Sequence, residues 1–181
     1  MNTHPPPAAN PPLAADPAPG STSARAAGLP PVAILLGAAG VLPFLAFALA
    51  CLSASGATAM LYLSWLIGYG AVILAFLGAV HWGLVLAAGE PGRAAMRLAL
   101  GVLPALAGWV ALGLQGAGIP SLALALLIAS FLAVIATERN YAAKGWLPAG
   151  YLWLRYALTL AVVLILATVL TLRLLGARIV L

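Results

Sequence analysis

The chain has 181 residues, of which 65% are hydrophobic and only 6% are charged. Ordinary soluble domains carry about 25% charged residues, so this composition excludes a water-exposed surface over most of the chain and predicts an integral membrane protein. The net charge is +5, but the basic residues are scattered among apolar stretches, which favours membrane orientation and argues against nucleic-acid binding.

Residues 1–30 form the first segment, and they contain eight prolines mixed with alanine, asparagine and serine. Proline fixes φ and removes a backbone donor, so no regular helix is expected here. The segment also offers too little apolar surface to offset the entropy of ordering. It lacks the basic start and apolar core of a signal peptide. We therefore predict a disordered, Pro/Ala-rich tail that acts as a solvated spacer.

Residues 31–181 are predicted to form one membrane domain. A helix needs about 20 apolar residues to cross the hydrocarbon, where every backbone polar group must be satisfied internally. Five stretches meet this requirement: about 32–54, 58–88, 95–115, 119–137 and 149–173. The predicted fold is an all-α bundle of five transmembrane helices. Pro43 and Pro104 lie inside the first and third spans, and each is expected to kink its helix.

Basic residues in the connecting segments predict the orientation. Arg93 and Arg97 lie between the second and third spans, and Arg139 and Lys144 lie between the fourth and fifth, whereas the opposite loops are uncharged. Because positively charged loops stay in the cytoplasm, this pattern places the N-terminus there.

The second span carries a stripe of small residues that predicts a helix-packing face. At about 100° per residue, Gly68, Ala71, Ala75 and Gly78 fall on one side of this helix. Small residues let two helix backbones approach closely, which is how spans associate in lipid.

His81 interrupts the apolar run LGAVHWGLVL at residues 77–86, beside that face. A histidine in lipid is costly unless its ring nitrogens find partners. One interpretation is a neutral histidine that is hydrogen-bonded to a neighbouring helix, and the other is a proton relay or ligand group. The adjacent Trp82 fits an interfacial aromatic belt.

Polar residues of four spans are expected to converge on one membrane face, and they form the candidate polar site. Its members are His81, Trp82, Arg93, Arg97, Glu138, Tyr151 and Arg155. Three interpretations remain open. The cations can be ordinary flanks that reach the headgroups, Arg93, Arg97 and Arg155 can bind an anionic headgroup, or Arg155 and Glu138 can form an ion pair that joins spans four and five.

The chain shows no pattern typical of catalysis. No two carboxylates lie one helical turn apart, no His/Cys/Asp/Glu cluster has metal-ligand spacing, and no nucleotide-binding motif or hydrolase nucleophile motif is present. We therefore predict no catalytic residues, no metal, no cofactor and no enzyme activity.

Three stretches of this chain resemble a known family. They are YGAVILAFLGAVHWGLVL at 69–86, the span with Pro104 and Trp109, and YLWLRYALT at 151–159. Over about residues 35–175 the sequence is similar to domain-of-unknown-function family 3429, the transmembrane protein 69-like membrane proteins. It departs from the family at Gly150–Tyr151, where a Trp–Tyr pair is expected. The resemblance implies a small multi-pass protein of bacterial inner membranes or mitochondria, and it implies no particular activity, substrate or cofactor.

The leading functional hypothesis is a structural, assembly or lipid-interacting component of the bacterial inner membrane. Its expected partners are the lipid bilayer, anionic lipid headgroups and other membrane proteins. The alternative is a small transporter or channel with His81 as its proton-responsive group. An enzyme is a third hypothesis, which would need His81 to meet Glu138 or Arg155 in a polar cavity.

Overall fold

A computed structural model describes residues 30–88, 94–143 and 149–176 of this protein. The described residues form six helices. These are α1 (Pro31–Ala39), α2 (Leu42–Ser53), α3 (Gly56–Ala88), α4 (Ala94–Gly116), α5 (Pro120–Ala143) and α6 (Ala149–Leu174). The predicted tail up to residue 29 lies outside the described residues, and so do Arg93 and Lys144.

The helices confirm the predicted all-α, five-span architecture. The segment Pro31–Ser53, which contains α1 and α2, and each of the other four helices are long and apolar enough to cross a membrane. Large apolar side chains such as Phe76 and Trp153 are exposed on the outside of the bundle. In a membrane this surface contacts lipid, so the bilayer is the solvent of the described bundle.

The first span is interrupted at Gly40–Val41, between α1 and α2. Pro43 supplies no amide hydrogen to the carbonyl of Ala39, four residues earlier, so the helix is disturbed upstream of the proline. The hydroxyl of Tyr69 donates a 3.0 Å hydrogen bond to the Gly40 carbonyl oxygen at the interruption. A side chain on α3 thus satisfies a backbone acceptor at the break.

The apolar core lies between α2, α3, α5 and α6. Phe44 of α2 packs edge-on against Tyr69, with ring centroids 4.9 Å apart, and against Phe131 of α5 at 6.1 Å. Leucines of α3, α5 and α6 fill the remaining interior; they include Leu66, Leu127 and Leu166. The helices that carry the candidate polar site are therefore held by one continuous core.

Helices α3 and α4 approach each other closely along small residues spaced seven apart. A Cβ atom built on Gly78 would collide with the carbonyl oxygen of Gly101, and one on Gly108 would lie 3.0 Å from the Cα of Ala71. A further seven residues along each helix, Gln115 Nε2 of α4 donates a 2.6 Å hydrogen bond to Ser64 Oγ of α3. A seven-residue spacing on both helices is typical of a left-handed, antiparallel crossing.

The other two residues of the predicted packing face do not share this contact. No atom of the described protein lies within 4 Å of a Cβ built on Gly68, and Ala75 is exposed. Ala71 and Gly78 are both buried. The face that packs on α4 is thus narrower than the predicted stripe.

Replacing Gly78 by alanine is expected to lower the free energy of unfolding by about 1–3 kcal/mol, because the new methyl group meets backbone that cannot rotate away. Gly68→Ala is the matched control on the same helix, and it should be neutral or stabilising by up to about 1 kcal/mol. Equilibrium unfolding in mixed micelles measures both variants. Equal stability of the two would contradict the close α3–α4 contact.

Candidate functional site

A buried ion pair joins α5 to α6. Arg155 Nε donates a 2.9 Å hydrogen bond to Glu138 Oε2. The hydroxyl of Tyr151 donates to the other carboxylate oxygen, Oε1, at 3.3 Å. Glu138 is only 1% exposed and Arg155 is 7% exposed. Of the three interpretations of the sequence, the structure contains the ion pair between spans four and five.

Helical spacing places these side chains. Tyr151 and Arg155 are four residues apart on α6, so they project from the same face toward Glu138. Thr159 follows after four more residues, and its side chain is also buried. The same face of α6 thus presents a phenol, a guanidinium and a hydroxyl in succession.

A second group of polar side chains joins α3, α4 and α5. The ring of His81 meets the ring of Tyr141 edge-on, with centroids 5.4 Å apart. The guanidinium carbon of Arg97 lies 5.3 Å from the centroid of the Tyr141 ring, within the range of a cation–π interaction. Glu138 precedes Tyr141 by less than one turn on α5. The structure therefore brings His81, Arg97, Glu138, Tyr151 and Arg155 to one end of the bundle.

Among the described site residues, Trp82 stands apart from this cluster. Trp82 is partly exposed, and its Nε1 donates a 3.1 Å hydrogen bond to the carbonyl oxygen of Leu98. This bond ties the end of α3 to the start of α4. Arg93 lies outside the described residues.

The first of two cavities beside the cluster has a volume of about 170 Å³ and lies between the first span, α3 and α6. We call it the Arg155 cavity. Its walls are apolar except for Arg155 and Thr159, and they include Leu36, Gly40 and Phe76. Arg155 Nη2 and Thr159 Oγ1 are buried and have no hydrogen-bond partner among the described residues.

The second cavity has a volume of about 140 Å³ and lies between α3, α4 and α5. We call it the His81 cavity, because His81 lines it together with residues of α4 and α5. His81 is 2% exposed, and its Nδ1 has no hydrogen-bond partner in the described part of the chain.

Sequence reasoning did not single out Thr159 or Tyr141. The four-residue spacing of Tyr151, Arg155 and Thr159 is a signal that identifies Thr159 as a neighbour of the arginine. Tyr141 lies three residues after Glu138, and its position on the same side of α5 follows from that spacing. In residues 30–88, 94–143 and 149–176, no group of three or more His, Cys, Asp or Glu side chains is placed to hold a metal ion.

Comparison with known proteins gives one match. A family model described as "Protein of unknown function (DUF3429)" matches residues 29–171, which include the first four spans and all but the last three residues of the fifth. No curated protein and no solved structure matches the chain.

Breaking the ion pair should destabilise the protein strongly, because the remaining charge stays buried without its partner. We expect Glu138→Leu and Arg155→Leu each to cost about 3–5 kcal/mol of unfolding free energy, and the double variant to cost much less than the sum of the two. A double-mutant cycle measured by equilibrium unfolding checks this. Additive single costs would show that the two side chains do not stabilise each other.

Proposed function

Because the chain belongs to a family of proteins of unknown function, DUF3429, we propose its function from the site: it is a non-enzymatic, lipid-interacting membrane component that retains an anionic lipid in the Arg155 cavity. The headgroup binds Arg155 and Thr159, and the acyl chains lie against the apolar walls. The proposal places the clustered end of the bundle at the cytoplasmic face of a bacterial inner membrane. Anionic headgroups are abundant there.

The observation that carries this proposal is the second guanidinium nitrogen of Arg155. Nε is occupied by Glu138, while Nη2 is buried and has no hydrogen-bond partner among the described residues. A buried cationic donor without an acceptor is costly, and a phosphate or carboxylate oxygen supplies the strong, charge-assisted bond that it lacks. The unpartnered hydroxyl of Thr159 gives the same headgroup a second donor.

The charges of the cluster also favour an anion. Arg97, Glu138 and Arg155 together leave one positive charge, so a headgroup with one negative charge brings this group to neutrality. A group of side chains and ligand without net charge costs less free energy to bury in the membrane than a charged group. The expected ligand is therefore a monoanionic amphiphile, either a phosphodiester lipid or a fatty acid.

The cavity is placed where lipid can enter it. Leu36 and Phe76 line it and are largely exposed on the outside of the bundle. In the membrane these two side chains border the hydrocarbon, so acyl chains reach the cavity without crossing water.

Removing the Thr159 hydroxyl should weaken lipid retention without breaking the ion pair. We expect Thr159→Val to retain phosphatidylglycerol about tenfold less well, since a hydrogen bond to a charged group is worth about 1.5–3 kcal/mol. Native mass spectrometry of the protein released from nanodiscs measures this. Arms with phosphatidylglycerol, oleate and phosphatidylcholine distinguish a phosphodiester, a carboxylate and a zwitterion.

Thr168→Val is the matched control, because Thr168 is an exposed threonine on the same helix whose hydroxyl donates to the carbonyl of Leu164. Arg139→Gln is the charge control, since Arg139 is exposed and lies beside Glu138 in sequence. Both variants should retain lipid like the unmodified protein. Equal retention of all three lipids, or unchanged retention in Thr159→Val, would overturn the proposal.

A small proton-responsive transporter is the second candidate function. It is favoured by the interruption of the first span at Gly40–Val41 and by the buried, unpartnered Nδ1 of His81. Discontinuous helices form the substrate sites of many transporters.

Proteoliposome flux assays separate this candidate from lipid retention. If the protein transports, a pH-dependent flux should appear for a tested ion or solute and should be lost in His81→Ala. Absence of flux across a panel of ions and solutes, with lipid retention intact, would reject transport.

A further inference from the structure

The His81 cavity is a separate site from the Arg155 cavity. It lies between α3, α4 and α5, whereas the Arg155 cavity lies against the first span and α6, and no residue lines both. A ligand in one cavity contacts a different set of residues from a ligand in the other, so an inference about the His81 cavity does not rest on lipid retention in the Arg155 cavity.

The polar atoms around the His81 cavity are mostly hydrogen-bond acceptors. Ser130 Oγ donates its hydrogen to the Leu126 carbonyl at 2.7 Å. Thr137 Oγ1 likewise donates to the carbonyl of Ala133, at 2.9 Å. Both residues line the cavity, and their hydroxyls have only lone pairs left for a ligand.

Pro104 adds another acceptor. It lies inside α4, where it supplies no amide hydrogen to the carbonyl of Leu100, four residues earlier. Leu100 and Pro104 both line the cavity. His81 also lines the cavity, and a neutral imidazole can accept a hydrogen bond at its unprotonated ring nitrogen. The cavity therefore favours a ligand that carries hydrogen-bond donors.

The size and walls of the cavity indicate the shape and polarity of that ligand. A dry cavity of about 150 Å³ lined by apolar side chains admits one benzene ring, and this cavity measures about 140 Å³. Apart from His81, its lining residues are uncharged at every pH, and most of them are apolar; they include Leu103, Ala107 and Val134. A single neutral aromatic ring fits this space.

The ligand has access from the lipid. Leu103 is 55% exposed on α4, and Ala133 is exposed on α5. Both line the cavity, so its mouth lies on the lipid-facing side of these two helices. The ligand is expected to dissolve in the bilayer.

We propose that the His81 cavity binds the ring of a membrane-soluble quinol, with one hydroxyl donating to the imidazole of His81. A quinol carries two hydroxyl donors on a flat apolar ring, which matches acceptors on more than one helix around a ring-sized space. The proposal concerns binding alone, and it involves no electron transfer.

Nitrogen NMR of His81 tests the proposal directly. The chain has two histidines, His4 and His81, so His4→Gln leaves one imidazole to observe in ¹⁵N-histidine-labelled full-length protein in nanodiscs. Titration with decylubiquinol under anaerobic conditions should produce a saturable shift of the His81 ring-nitrogen resonance. The dimethyl ether of the same quinol has the same ring but no donor, and it should leave the resonance unchanged.

A pair of variants locates the binding. Ala133→Leu fills the mouth of the cavity and should abolish the shift. Ala136→Leu is the matched control, because Ala136 is also an exposed alanine on α5 but does not line this cavity. Thr159→Val, which changes the other cavity, should leave the quinol response intact.

Three outcomes would overturn the proposal: no shift with the quinol, an equal shift with its dimethyl ether, or a shift that persists in Ala133→Leu. Exchange of magnetisation between His81 and water, without any response to the quinol, would show that the cavity holds water only. The comparison of the two ligands uses protein in which all cavity residues are unchanged, so it remains decisive even if Ala133→Leu fails to fold.

Discussion

The close contact between α3 and α4 is the constraint on which the candidate site depends. Because Gly78 and Gly101 have no side chains, the two backbones meet at a distance that any Cβ would prevent. This contact brings Trp82 within hydrogen-bond reach of the Leu98 carbonyl. It also sets Pro104 of α4 beside the buried ring of His81, so the same contact shapes one wall of the His81 cavity.

The polar cluster shows how a bilayer-embedded bundle accommodates charge. Glu138 and Arg155 neutralise each other at 2.9 Å, while Arg97 lies over the ring of Tyr141. The packing of charge against charge and of cation against aromatic face lowers the cost of burial. Residues of the cluster also line the two cavities, and the polar lining residues differ between them. One offers a cationic donor beside a hydroxyl, and the other offers mostly acceptors.

Much of the fold follows from the sequence, because the length of apolar stretches decides which segments cross a membrane. Periodicity also identified Ala71 and Gly78, but the contact surface follows the seven-residue spacing of a left-handed crossing and so leaves Gly68 and Ala75 aside. The polar residues of the site were identified from the sequence because ionisable side chains are energetically costly in lipid. The sequence does not determine how α5 and α6 are oriented about their long axes, so it leaves open which of these polar side chains contact each other. That orientation brings Arg155 and Glu138 together as an ion pair, which is one of the three interpretations of the sequence.

The interruption at Gly40 has a consequence for how the protein suits its membrane. The nine residues of α1 rise about 14 Å and the twelve of α2 about 18 Å, so neither segment alone crosses a hydrocarbon core of about 30 Å. Helix α1 buries none of its residues, whereas α2 buries Phe44 and Cys51. Because α1 buries no residues, a tilt of α1 about Gly40 would change the height of the first span without moving the buried residues of α2. The bundle can thereby match bilayers of different thickness at one peripheral joint.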